Sequence, residues 1–345
     1  MIVPLIFSVI CIIGSFFTGR SFNFLINEMI IRLARNSLLV LSLITPVITG
    51  MGLNFAIVLG AMAGQVALII IANYAIEGGL GLLLSFVIST PIAVVFGYLV
   101  GKLFNKARGR EMITGMILGF FASGVYQLIF LVFAGTLIPF RNKKMLLTSG
   151  VGLKNTIDLA NIKYALDKAL SDVIPINYPV ATLLVIGLFV LLINYLLKTK
   201  LGQDMRAVGQ DMYIAEVSGI NVDRTRIISI IISTVLAAWG QIIFLQNIGT
   251  INTFGSHSQV GLFAVASLLV GGASVDRASW KEALIGTFLF HFLFVISPLA
   301  GQNLMNNAQI GEFFRVFVAY GIIGIALMLH AWEKSRAQTS LSIDK

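Results

Sequence analysis

A chain of 345 residues is long enough for two or three soluble domains, but 57% of these residues are hydrophobic and only 11% charged, where soluble domains carry about a quarter. A mean hydropathy of +0.93 and apolar runs repeating from end to end exclude an ordinary soluble domain and leave one polytopic membrane domain over 1–345. The formal charge of +9 lies in short basic clusters beside those runs, the pattern of membrane orientation signals and not of a nucleic-acid surface.

Runs suited to crossing a hydrocarbon core about 30 Å thick fall at residues 1–17, 36–50, 53–76, 81–101, 112–139, 176–197, 227–246, 259–275, 282–298 and 314–332. They predict an all-α polytopic membrane protein with about ten transmembrane helices. The first run has no basic residue ahead of it and no convincing cleavage site, so it reads as a retained helix. It contains Cys11, the single cysteine, so no intrachain disulfide and no cysteine metal site can form. His257, His291 and His330 are scattered without ligand spacing, so no metal is expected.

The stretch Gly50 to Gly64 carries Gly50, Gly52, Gly60 and Gly64 at membrane depth, with Asn54 among them. Gly60 and Gly64 form a small-residue pair that lets helices approach closely. An interrupted helix with an amide is also tolerated where freed backbone groups face a water-filled cavity, the place where transporters hold solute. Both readings stand, and Gly52, Asn54, Gly60, Gln65, Gln127 and Gln241 are the candidate pathway residues. For these glutamines, as for Gln246 and His291, the other polar groups in spans, a bond to a neighbouring helix is the favoured reading over pore lining. Glu77, Glu111, Asp276, Glu282 and Glu312 all lie at or beyond span ends, which argues against a proton- or sodium-driven carrier, since such carriers use an intramembrane carboxylate.

With ten crossings and a cytoplasmic amino terminus, the segments 102–111, 198–226 and 276–281 and the carboxyl tail fall inside, and each is basic. The opposite loops 77–80, 247–258 and 299–313 contain no Lys or Arg. Two segments fit less well: 18–35, with Arg20, Arg32 and Arg35, and the long outer loop 140–175, with six basic residues beginning at Arg141. That outer loop has an amphipathic patch from about Leu159 to Leu170. It reads as a lid over helix ends or as a landing surface for a soluble binding protein.

The segment 198–226 is a long polar interruption, far longer than a connector needs to be. Asp211 to Val217 can form about two helical turns, with Gly209 before them and Gly219 as a left-handed stop. Ile214, Val217 and Ser218 share one face, Ala215 and Ser218 permit close approach by a partner, and Arg206 and Arg224 flank the knob with charge. No stretch matches the phosphate cradle GxxxxGK[ST], and no nucleophile, base or carboxylate pair is spaced for catalysis. No catalytic residue and no cofactor are expected on this chain.

The residues Gly202, Arg206, Ala207, Gly209, Ala215, Gly219 and Ile220 resemble the cytoplasmic loop GxxxRAxGxNxxAAxxxGI of ABC-importer permeases serving ribose and other simple sugars, nucleosides and branched-chain amino acids. Residues 261–275, GLFAVASLLVGGASV, are similar to that family's small-residue helix ending in a glycine-rich turn. The resemblance covers the whole chain and is sharp after about residue 200. Gln210, Asp211 and Met212 stand where the family has Asn and Pro, Glu216 replaces its second alanine, and Gly50 to Phe55 replace an early GxxDLS segment.

The resemblance implies a multi-pass protein of the bacterial cytoplasmic (inner) membrane, embedded in lipid. Its partners would be two cytoplasmic ATPase subunits that bind the ATP, a second permease chain, identical or sister, and an extracytoplasmic substrate-binding protein. It also implies that Arg206, Ala207, Gly209, Ala215, Glu216, Ser218 and Gly219 couple to the ATPase. The solute would be a simple sugar or a nucleoside, with branched-chain amino acids as the nearest alternative. A secondary transporter is the alternative of a different class.

Overall fold

A computed structural model describes residues 2–171 and 178–343. Among them, seven helical segments are long and apolar enough to cross a membrane, and three shorter apolar helices accompany them; the chain is a multi-pass membrane protein. In order, α1 (Ile2–Phe16) is followed by α2 (Phe22–Leu41) and α3 (Ile44–Ile48), which form one crossing broken at Ser42 and Leu43. Next come α4 (Ile57–Asn73), α5 (Gly78–Lys106) and α6 (Glu111–Leu128), the last extended by a π turn over Ile129–Phe133. A folded loop then carries β1 (Thr156–Asp158) and α7 (Ala165–Ser171). The second half holds α8 (Val180–Lys198), α9 (Lys200–Gln210), α10 (Met212–Val217), α11 (Val222–Ile248), β2 (Thr250–Asn252), α12 (Val260–Val270), α13 (Trp280–Met305) and α14 (Ala308–Ile343).

The central element is α11, which packs against α2, α4 and α5. Between helices in lipid the hydrophobic effect supplies no drive, so contact rests on close backbone approach and interhelical hydrogen bonds. The sequence supplies both. A Cβ on Gly60 would lie 2.5 Å from the Thr234 carbonyl, and one on Gly64 would run into the Ala238 carbonyl. Gly97 and Gly101 of α5 meet α11 from another side, against Ile231 and Ile227. In the same way, Gly271 and Gly286 bring α12 and α13 together.

Several predicted boundaries move. Residues 22–35, expected to be connector, are helical: Ser21 caps the helix at Phe24 N, and Arg32 pairs with Glu28 one turn away at 3.3 Å. The break before α4 spans residues 49–56, longer than expected. The run 259–275 gives only the eleven-residue α12, stopped at Gly271. Of 176–197, residues 176 and 177 lie outside the described residues, as do 172–175 of the outer loop. In that loop the helix is confined to α7, since Leu159, Ile162 and Ala165 turn inward.

The loop is fixed at one end of the bundle. β1 pairs antiparallel with β2, Thr156 opposite Asn252, and Gly78 N donates to Asn161 O while Tyr164 N donates to Gln246 O. This two-stranded ribbon is the one departure from all-helical structure among the regular elements described. At the opposite end lie α9 and α10.

Candidate functional site

Three parts of the bundle are candidates for function: the α9–α10 corner, the broken segment behind it, and a cavity among α2 and α11–α14.

The polar stretch expected as a loop is almost wholly helical, and Gly209, ahead of the knob as expected, lies inside a second helix, α9. Asp211 starts α10 by accepting hydrogen bonds from the backbone N–H groups of Tyr213 and Ile214 at 2.8 and 3.0 Å. Gly219 ends it at φ +83°, with Ile220 N donating to Ala215 O, the left-handed stop that glycine adopts without strain. The faces differ from the expected ones. Ala215 is 2% exposed and packs on Val208 and Val222, whereas Tyr213, Ile214 and Val217 stand 76%, 63% and 72% exposed. The physical reason is that α10 folds back on α9 and the start of α11, and that corner takes the small side chain. Arg206, Glu216 and Ser218 are exposed, and Ala207 is half-buried.

The broken segment touches this corner directly. A Cβ on Gly209 would run into the Ile48 carbonyl, and one on Gly50 (φ +76°) would lie 2.9 Å from Gly209 Cα. Gly52 follows beneath Met112 and Val275. Polar groups then tie the segment to α11: Thr45 Oγ1 donates to Ser229 O at 3.1 Å and Asn54 Nδ2 to Ser233 Oγ at 3.1 Å. Asn54 Oδ1 also accepts from Ala56 N at 3.0 Å, so this side chain satisfies the backbone that the break would otherwise orphan.

A second tie is a buried ion pair that sequence reasoning missed. Arg226 of α11 donates to Glu111 Oε1 of α6 at 2.5 Å, to Asn105 Oδ1 at 2.8 Å and to Phe104 O of α5 at 3.3 Å, and it meets Met212 Sδ of α10 at 3.3 Å. One guanidinium thus joins α10 to three long helices. In the sequence Arg226 looked like one more basic residue beside a span; its pairing with a residue 115 positions away leaves no local trace.

Of the six pathway candidates, two hold a loop. Gln65 Nε2 donates to the carbonyls of Asn252 and Thr253 at 3.1 and 2.7 Å, and its Oε1 lies 3.1 Å from His257 Nδ1. Gln241 Nε2 donates to Ser256 O at 3.2 Å. Together they draw residues 252–257 down into the bundle. Gly60 is pressed on α11, Gly52 and Asn54 belong to the break, and Gln127 faces outward on α6. None of the six lines the cavity described next.

That cavity, of about 290 Å³, lies among α2, α11, α12, α13, α14 and residues 255–259. Arg32, Arg35, Asn36, Phe244, Ser256, His291, Phe294 and Arg315 line it. At a rise of about 1.5 Å per residue, Arg32 and Arg35 sit about 15 and 20 Å from the start of α2. Arg35 lies over the Phe244 ring at 5.6 Å and Arg315 over the Phe294 ring at 4.4 Å, contacts that hold both heads in place. Arg32 and Arg315 have carboxylate partners, Glu28 and Glu312, whereas no carboxylate pairs with Arg35 among the described residues. Arg35 Nε, Arg315 Nε and His291 Nδ1 are buried without hydrogen-bond partners. A cation within a membrane helix costs up to about 2.5–3.5 kcal/mol on insertion scales, and Arg35 has no paired carboxylate among the described residues to offset it.

Residues 25–329 match the family model described as branched-chain amino acid transport system / permease component. The chain is similar to the probable ABC transporter permease protein YphD of Escherichia coli (strain K12), 31% identical over 153 residues, 44% of each protein. It is also similar to the autoinducer 2 import system permease protein LsrC of Enterobacter sp. (strain 638), 27% identical over 205 residues, 59% of this chain and 54% of that one. The xylose transport system permease protein XylH of Haemophilus influenzae (strain ATCC 51907 / DSM 11121 / KW20 / Rd) is 27% identical over 167 residues, 48% of this chain and 42% of its own length. The chain spans about half the length of these relatives in the matched regions. No solved structure matches it.

Proposed function

The chain belongs to the family of branched-chain amino acid transport system / permease components, and from that membership we propose that it is the membrane-spanning permease subunit of an ATP-driven importer in a bacterial cytoplasmic membrane. The seven long segments and three short ones make ten crossings in one permease domain, with α9 and α10 cytoplasmic and the β1–β2 end extracytoplasmic. The cargo is a small polar solute of sugar or nucleoside size, in keeping with the names of the xylose and autoinducer relatives.

The observation that carries this reading is the α10 face. Tyr213, Ile214 and Val217 expose apolar area on a short capped helix at the basic end of the bundle, where a soluble subunit can cover them. The corner behind the face is rigid: Gly209 is seated on the chain between Ile48 and Gly50, and Arg226 is tied to α5 and α6. A push on α10 therefore passes to the broken segment and to α11 together, which is the physical requirement for coupling two sites. The chain brings no catalytic group; two ATPase subunits supply hydrolysis, a second permease completes the pathway, and a binding protein delivers solute to the β1–β2 end. ATP is held by the ATPase, and this chain needs no cofactor of its own.

The test is reconstitution in liposomes with and without the cognate ATPase and binding protein. Uptake and ATP hydrolysis stimulated by loaded binding protein, both abolished when the ATPase is withheld, are the expected result. Uptake by this chain alone, driven by a proton or sodium gradient, would overturn the proposal in favour of a secondary transporter.

A further inference from the structure

We propose that the cavity among α2 and α11–α14 is a station on the solute's path and that the solute carries a net negative group, a carboxylate or a phosphate. This rests on the importer reading and narrows it. Arg32, Arg35 and Arg315 all line the cavity together with His291, so three guanidinium side chains from α2 and α14 border one space. Ring contacts fix two of them, leaving the Arg35 Nε–H and Arg315 Nε–H donors buried and unused. A planar fork of donors is the group that recognises carboxylate and phosphate.

No Asp or Glu lines the cavity, so an ammonium group would find no counter-charge there. The lining therefore suits a net anion, a sugar acid or a phosphorylated sugar or nucleoside, better than a zwitterionic amino acid. A volume of about 290 Å³ is at the small end of ligand sites, which run about 300–1,000 Å³. The loop that Gln65 and Gln241 draw down, residues 252–257, contributes Ser256 to the rim. Those glutamines serve the site indirectly, by placing its rim.

The same donors could take the phosphate of an anionic lipid, and the experiment separates the two sources. The full chain is purified into nanodiscs of phosphatidylcholine alone, and its melting is followed by tryptophan fluorescence with inorganic phosphate, gluconate, glucose, leucine or chloride at matched ionic strength. Phosphate and gluconate should each give a saturable rise in Tm of about 2 °C or more, glucose, leucine and chloride none. The rise should vanish in Arg35→Gln and weaken in Arg35→Lys, which keeps the charge but loses the planar fork. Should both charge variants melt so low that no shift can be read, the wild-type contrast between gluconate and glucose decides alone.

Equal melting in gluconate, phosphate and chloride overturns the inference. So does stabilisation by phosphatidylglycerol nanodiscs that depends on Arg35 while the soluble anions do nothing, since that would make the cations a lipid site. The readout involves no ATPase: anion binding can fail while ATP-coupled uptake stands, and coupling can fail while anion binding stands.

Discussion

At the scale of single residues, Arg226 and Glu111 show how much depends on neighbours that sequence spacing does not reveal. Their side chains are 0% and 7% exposed, and removing one partner of a buried pair costs about 3–5 kcal/mol because a charge is left without its counter-ion. Arg226→Ala should therefore lower the midpoint of thermal unfolding in detergent markedly, and the double variant Arg226→Met/Glu111→Leu should regain most of that loss. A single variant as stable as wild type would show the pair to be solvated. Asn54 is a milder case: Asn54→Leu leaves Ala56 N and Ser233 Oγ without their partner, a loss of about 1–3 kcal/mol in the same assay.

At the scale of elements, α10 separates docking from folding. Ile214→Asp with Val217→Asp changes only exposed positions, so the protein should reach the membrane in normal amount while ATPase stimulation by loaded binding protein is lost. Ala215→Arg forces a cation between Val208 and Val222 and should lower the melting temperature as well as abolish transport. If Ala215→Arg melted normally, the buried corner would be wrong. The seat of α9 on the broken segment makes a parallel prediction. Gly209→Val collides with the Ile48 carbonyl and should destabilise the α3–α9 contact, read as faster proteolysis within residues 199–221. Gly60→Leu, against Thr234 and Ala237, should reduce folded yield instead of impairing transport alone.

At the scale of the whole molecule, the arrangement predicts sidedness. Reporter fusions at Arg108, Asp211 and Arg277 should read as cytoplasmic, and fusions at Leu80, Thr148 and Asn306 as external. If Asp211 and Asn306 report the same side, the crossing count in the second half is wrong. Helix α11 spans both ends: it begins at the α10 corner, runs past the broken segment and α4, and carries Phe244 to the cavity and Gln241 to its rim loop. Motion of α10 has a continuous packed route to the cavity, about 27 residues of helix at about 1.5 Å each.

Composition and periodicity by themselves determined that the chain is a multi-pass helical protein, because apolar length alone must match a hydrocarbon core. They also marked the glycines of the α9–α10 corner and its capped short helix, because caps and left-handed stops are local chemistry written in adjacent residues. Only the tertiary structure decided which face of α10 is free, because Ala215 turns inward through contacts with Val208 and Val222 on other elements. The cavity was hidden for the same reason. Arg32 and Arg35 read as a connector's basic residues, and nothing in the sequence brings residues 35 and 315 together. That meeting depends on the packing of α2 beside α13 and of α13 beside α14, which no single segment encodes.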